Sequence, residues 1–442
     1  MIQNIGAAFP SDLAPKKEKH KKASDQPGSP GDKGDSSYLS GNKVALLSGK
    51  SVTPADSSDE IFAHIQEAIR GAESSIRLEM YDLQKPEMVD LLIQEARKGI
   101  KVQVIMDPPN DKFEAPRDEI KEKLEKSGVE VLFYPARKGQ LCHVKMLIID
   151  GHQAILGGMN WGKHSPLNHD YDVEIVGPAV DDAKRNFRQD WIKSGGDKED
   201  LPAMNKTPAH PEANALVRVV TSGPKSGAPY EEAVLEAVSG AKRSVHAELF
   251  ALTSKPVIQA LKDAHERGVD VKVIVHPLRI NGFPVNERAV QELRQSGIQA
   301  MWYTCNPETA EKLHAKAAAF DGDRVIVGSA NWTHAGFHVH REAGADIISK
   351  EVNSEFETIF QEDWSSRISV DPIYLGPRHD SKRKEALHGA APMTITGSEH
   401  DLNQIAPKAM FTTSEDSEFD VEIAALREEA DELRRMDELR GY

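Results

Sequence analysis

Two stretches of the chain carry histidine, lysine, aspartate, glycine and asparagine at one common spacing. His143, Lys145, Asp150, Gly157 and Asn160 read H-x-K-x4-D-x6-G-x2-N, and His314, Lys316, Asp321, Gly328 and Asn331 repeat that spacing without a gap. A lone H-x-K on a strand is common and carries no meaning. Two long copies with identical internal spacing, at corresponding places of a repeat, do. Side chains two apart on a strand share a face, so each His points the way of its Lys. Asp150 and Asp321 lie seven residues beyond their His, an odd step that turns them away; they read as structural. The turns DGHQ and DGDR fold the next strand back, which can bring Asn160 and Asn331 to the end where His and Lys lie.

Two histidines, two lysines and two carboxamides on one site suit a phosphodiester. The lysines neutralise the nonbridging oxygens, and the Asn amides donate to them in the transition state. One neutral His can attack phosphorus and form a phosphohistidine. The other, protonated, can give its proton to the leaving oxygen and then activate water or an alcohol. Each His needs a carboxylate to fix its tautomer. Asp170 in NHDYDVEIVG and Glu342 in HREAGADIIS, which correspond across the repeat, are the candidates. The cationic residues do what metals do elsewhere, and no cluster stands at metal-ligand spacing. Neither metal nor cofactor is expected. His152, His164, His169, His338 and His340 read as surface or loop histidines. Glu79 and Glu248, mid-strand in apolar runs, fit a cleft lining or a strand edge equally.

The elements that must hold these groups come in duplicate. SSIRLEMYDLQKPEMVDLLIQEARKGIKVQVIMDPP is matched by RSVHAELFALTSKPVIQALKDAHERGVDVKVIVHPL at an offset of 169, the histidine segments match at 171, and FRQDW matches FQEDW at 173. Such a period is too long for a solenoid and marks a duplicated domain. IFAHIQEAI and VLEAV have helical periodicity, while KVQVIM and VKVIV are short β-rich runs. Helices alternating with buried strands imply an α/β fold with a mixed sheet covered on both faces. The expected boundaries are a disordered tail over 1–42, lobes over 43–200 and 214–372, a linker over 201–213, and a polar tail over 373–442. That last tail ends in a short charged helix with Ile423, Leu426, Ala430 and Leu433 at helical spacing.

Composition narrows the class. The 442 residues hold 55 Lys plus Arg against 70 Asp plus Glu, a net charge of −15. A generic nucleic-acid binder is usually basic, so nucleic acid stands as an alternative partner rather than the first. No run approaches the ~20 apolar residues that span a bilayer, and the N-terminal charges follow a weak apolar stretch, the reverse of a secretory signal. A cytoplasmic protein is expected, with peripheral contact at the inner membrane surface open to it. Cys142 and Cys305 are too few for a disulfide framework, and Cys142 reads as a core thiol facing away from His143. Oligomeric state is left undetermined.

With these residues the chain resembles the phospholipase D superfamily, whose signature is the duplicated HxKx4D motif; the resemblance covers about residues 43 to 372. It implies two pseudo-twofold-related α/β/α lobes with mixed sheets and one active site on their interface. It further implies a phosphohistidine on His143, with His314 as general acid. One departure stands out. The family usually has Gly-Ser after the returning strand, kept here in Gly328-Ser329, but the first copy has Gly157-Gly158. With Ser329 and Gly158 at substrate-binding turns, one half supplies one fewer phosphate contact, and Gly158→Ser is expected to be tolerated. This Gly-Gly form and the segment GPAVDDAKRNFRQDW are similar to cardiolipin-synthase-like members. The resemblance therefore favours a phospholipase D or phosphatidyltransferase acting on a phospholipid headgroup. The alternatives are a metal-independent nuclease and a non-catalytic scaffold.

Overall fold

In the first lobe the strands are β1 (Leu39–Gly49), β2 (Ser75–Met80), β3 (Lys101–Met106), β4 (Glu130–Phe133), β5 (Lys145–Ile149), β6 (Gln153–Gly157) and β7 (Asp170–Val176). The helices are α1 (Glu60–Arg70), α2 (Pro86–Arg97), α3 (Arg117–Glu125) and α4 (Val180–Lys193). The second lobe repeats them with β8 (Ala215–Ser222), α5 (Pro229–Gly240), β9 (Ser244–Leu249), α6 (Lys255–Glu266) and β10 (Asp270–Val275). After the hairpin β11 (Arg279–Ile280) and β12 (Phe283–Pro284) come α7 (Glu287–Gln295), β13 (Gln299–Trp302), β14 (Lys316–Phe320) and β15 (Arg324–Gly328). The short α8 (His334–His338), β16 (Glu342–Ile348) and α9 (Lys350–Ser366) complete it. This computed structural model describes residues 37–49, 60–109, 117–163, 165–224, 228–280, 283–305 and 311–366. Of the expected N-terminal tail over 1–42, residues up to 36 lie outside them, as do the segment from 367 with its charged helix and His164, whereas Leu39 to Asn42 of that tail belong to β1.

Local sequence accounts for the elements. Ile61, Phe62, Ile65 and Ile69 recur on one face of α1 and are all buried there, the stripe a helix needs to dock on a sheet. In α6, Pro256 sits in the first turn and the Ser254 hydroxyl caps the Val257 N–H, which satisfies one of the open donors. β2 is buried at every position, as a strand covered on both faces must be.

The two lobes share one sheet. Its order is β13-β10-β9-β14-β15-β16-β8-β1-β7-β6-β5-β2-β3-β4. β2, β3 and β4 run parallel, as do β9, β10 and β13, and the remaining pairs are antiparallel. At its centre β1 meets β8 through Leu39↔Val217 and Asn42↔Ala215, with a register shift between them. The sequence reading began each half at a helix and did not foresee these joining strands.

Three apolar cores follow. One lies within lobe 1 between α1, α2 and the sheet, and one within lobe 2 between α5, α6 and the sheet. The third is shared: it joins Phe187 and Trp191 of α4 to Phe356, Phe360 and Trp364 of α9, with inward residues of both halves. Removing one buried Phe from such a core costs about 3–5 kcal/mol, so neither half is indifferent to the other.

Candidate active site

Each motif histidine sits just before a strand, on a bridge built by the other lobe. His143 N–H donates to the Arg341 carbonyl and Arg341 N–H to the Leu141 carbonyl, both at 2.8 Å. In mirror fashion His314 N–H donates to the His169 carbonyl and His169 N–H to the Lys312 carbonyl, again at 2.8 Å. The side chains then cross. His143 Nδ1 lies 2.9 Å from both Glu342 oxygens, and His314 Nδ1 lies 2.6 Å from Asp170 Oδ2. The carboxylate that orients each His comes from the opposite lobe, which the sequence could not say.

Lysines and aromatic rings complete the floor. Lys145 Nζ donates to the His143 carbonyl at 2.8 Å and stands 5.0 Å from the Tyr81 ring centre. Lys316 Nζ lies 2.6 Å from the His314 carbonyl, 2.9 Å from His314 Nε2 and 5.3 Å from the Phe250 ring centre. Tyr81 packs edge-on to His143 at 4.7 Å, and Phe250 tilts on His314 at 5.0 Å. Asn160 and Asn331 are buried in the loops after β6 and β15. Their neighbours Trp161 and Trp332 bridge to Leu83 and Leu252, just beyond β2 and β9. The Asn160 side-chain oxygen is enclosed with no hydrogen-bond partner.

The aspartates of the motifs do other work. Asp150 and Asp321 hold the left-handed φ values of 51° and 54° at the turns, a conformation Asp tolerates. Their carboxylates accept the N–H groups of Glu73, Ser74 and Ser75, and of Lys242, Arg243 and Ser244. Partial burial would raise both acidities' pKa, but these bonds outweigh it and hold the carboxyls below their usual range.

The profile of the PLD-like domain of cardiolipin synthase matches residues 65–191 and 234–364, more than half of the chain. The chain belongs to this family. Among relatives it is 26% identical over 338 residues to a probable cardiolipin synthase of Bacillus subtilis (strain 168), covering 71% of this chain and 66% of that one. It is 25% identical over 376 residues to cardiolipin synthase A of Pseudomonas syringae pv. syringae, covering 79% and 73%. The chain thus spans just under two thirds of the first relative's length. The solved phosphatidylserine synthase of Haemophilus influenzae Rd KW20 matches with a TM-score of 0.59 at 14% identity, over 75% of this chain and 89% of that one. A polyphosphate kinase from Porphyromonas gingivalis matches with a TM-score of 0.50 at 17% identity, over 73% and 50%. At such identities the likeness is one of fold.

In this PLD-like chain the Gly-Gly departure has a steric counterpart. A Cβ at Gly158 would stand 2.2 Å from Asp170 Oδ1, so the carboxylate that holds His314 fills the space a serine needs. Ser329, placed at a substrate-binding turn by its sequence, is fully buried and turns its hydroxyl onto Glu342. Gly-with-Asp and Ser-with-Glu are two ways to fill the same corner, and a side chain at Gly158 would have to displace the Asp170 carboxylate.

Several site residues were missed or misread. His169 and His340, read as surface or loop histidines, are buried at 0% and 6% exposure. His340 Nδ1 accepts the Leu141 N–H at 3.2 Å. Glu79 and Glu248 lie on no edge strand: β2 and β9 each stand third from an end of the sheet, and both carboxyls are fully buried. Burial pushes the Glu79 carboxyl up to about 8, and Cys142 donates its thiol to it. Behind Tyr81, Arg117 Nη1 pairs with Asp107 at 2.6 Å, and Asp107 also accepts the Cys142 N–H at 2.6 Å. In lobe 2 the matching positions are Asn286 and His276; burial, then the charge of Lys312, pushes His276 down to about 3. Lobe 1 therefore carries an ion pair where lobe 2 has uncharged groups.

Among the described residues, one group has donors close enough to hold a cation: His169, Glu248 and Asp363, within 4.8 Å of one another. The sequence showed no such cluster because the three come from distant segments. Their bonding favours an ion pair. His169 Nδ1 faces the Gly49 carbonyl at 2.9 Å, while Nε2 faces Asp363 at 2.9 Å and Glu248 at 3.2 Å. A carbonyl and ionised carboxylates only accept, so this arrangement suits a ring that carries protons on both nitrogens. An imidazolium has no lone pair for a metal.

Proposed function

We propose that the chain is a phospholipase D or phosphatidyltransferase that cleaves or exchanges the headgroup phosphodiester of a glycerophospholipid such as phosphatidylglycerol. The observation that carries this reading is the crossed pair of His–carboxylate bonds on one interface, each beside a buried lysine. With Nδ1 turned to a carboxylate, Nε2 is the nitrogen that performs chemistry. His143 Nε2 attacks phosphorus, the P–O bond to the headgroup alcohol breaks, and His314 supplies that oxygen with a proton. Water or an alcohol then attacks the phosphohistidine, His314 takes its proton, and the P–N bond breaks. Lys145, Lys316, Asn160 and Asn331 stabilise the charge that builds on the nonbridging oxygens. Relatives named cardiolipin synthase support a lipid headgroup over DNA. No helix among the described residues is long and apolar enough to cross a membrane.

The test is turnover of labelled phosphatidylglycerol, and separately of single-stranded DNA, in millimolar EDTA, with acid quench to trap the adduct. His143→Ala should lose both turnover and adduct. His314→Ala should still form the adduct from a substrate with a good leaving group. An adduct that survives only in His143→Ala reverses the roles, and cleavage of DNA alone replaces the substrate class.

A further inference from the structure

Behind the reacting histidines each lobe holds an ion pair delivered by the other. Arg341, the residue before Glu342, sends its guanidinium into lobe 1, where Nε and Nη2 each meet Asp190 at 2.7 Å and Nη2 meets Asn186 at 3.2 Å. His169, the residue before Asp170, sends its ring into lobe 2, onto Asp363 of α9 and Glu248 of β9. Asp190 and Asp363 are the matching aspartates of FRQDW and FQEDW. Arg341, Asp190, His169, Glu248 and Asp363 are all at most 6% exposed.

Successive side chains of extended backbone point to opposite faces. An ion pair that pins residue 341 or 169 on the core face therefore fixes the carboxylate of the next residue on the site face. The same two residues accept the backbone N–H of His143 or His314. We propose that Arg341 and His169 are positioning residues: Arg341 sets the Glu342–His143 pair, and His169 sets the Asp170–His314 pair. The proposal rests on the acid and nucleophile reading above for its kinetic signature. Its content, that each anchor governs one histidine, is separate from which histidine does what.

The experiment uses the full chain and measures phosphoenzyme formation by rapid acid quench with two substrates. Phosphatidylglycerol needs its leaving oxygen protonated; phosphatidyl-p-nitrophenol does not. His169→Gln should slow formation from phosphatidylglycerol about tenfold or more, a loss of about 1.4 kcal/mol in the barrier, and spare the nitrophenyl ester within about twofold. Arg341→Gln should slow both. His169→Arg, which copies the other lobe's anchor, should restore the rate, which a cavity or a generic loss of stability would not allow. Where His169→Gln does not fold, Asp363→Asn removes the shorter of the two carboxylate contacts of His169 and takes its place. The opposite pattern, with Arg341→Gln sparing the nitrophenyl ester, exchanges the roles of the histidines and still supports the anchors. Equal slowing of both substrates by both variants, or no restoration by His169→Arg, overturns the proposal.

Discussion

Gly158→Ser separates packing from chemistry at this site. Gly158 is not among the glycines of positive φ, so its backbone would accept serine; the space does not. The new Cβ would stand 2.2 Å from Asp170 Oδ1, 2.8 Å from its Cγ and 3.0 Å from Oδ2, against about 3.5 Å for unstrained contact. The carboxylate has to retreat by about 1 Å, which breaks the 2.6 Å bond to His314. A hydrogen bond to a charged group is worth about 1.5–3 kcal/mol, and 1.36 kcal/mol is a factor of ten in rate. The expected loss in kcat is therefore about 10- to 150-fold, with KM much less affected. Asp170→Glu alone should also lose activity, because the longer side chain meets no serine. Together, Gly158→Ser and Asp170→Glu rebuild the Ser329–Glu342 arrangement and should recover much of the loss, as coupled neighbours do. Steady-state kinetics on the four proteins decides it. Wild-type kcat in Gly158→Ser, or a double variant no better than the worse single one, would refute the steric argument.

Further outcomes are expected at the same interface. Lys145→Ala and Lys316→Ala should each cripple the one reaction, since both charges act on one phosphate; a large loss from only one of them would argue against a shared site. The halves 43–200 and 214–372, expressed separately as monomers, should be inactive, because each lacks the carboxylate for its own histidine and bares the common core. Full activity in a monomeric half would refute that account, whereas activity on dimerisation would agree with it. The pH dependence of stability should carry the mark of His169. Burial lowers its pKa, but the bonds to Asp363 and Glu248 prevail and raise it to about 10, above the ordinary value of about 6.5. Its contribution is then full below pH ~6.5 and is lost as pH rises through about 10. Thermal unfolding of wild type against His169→Arg from neutral to alkaline pH should show the wild type falling relative to the variant, and parallel curves would contradict this.

Much was legible in the sequence. The duplicated spacing from His143 to Asn160 and from His314 to Asn331 pointed to a two-lobed α/β fold, because strand alternation and turn chemistry are local rules that sequence states directly. Asp170 and Glu342 could be named from their matching places in the repeat. FRQDW and FQEDW were seen as repeats, yet nothing local said that Asp190 and Asp363 anchor residues of the opposite half. His169 was misread because a polar residue in a loop sequence gives no sign of the buried carboxylates that await it 79 and 194 positions away. Gly158 gave no local sign of its crowding for a related reason: the carboxylate that a Cβ would meet there belongs to a different strand.

Sequence by itself determined the chemistry available to this protein and the elements that carry it, since residue type, strand period and turn residues act over a few positions. Only the tertiary structure decided the partners. The pairing of β1 with β8, the exchange of carboxylates between lobes and the crossed anchors behind them join residues far apart in the chain. Such contacts arise when two half-buried faces close on one another, and distance along the sequence does not encode which side chains then meet.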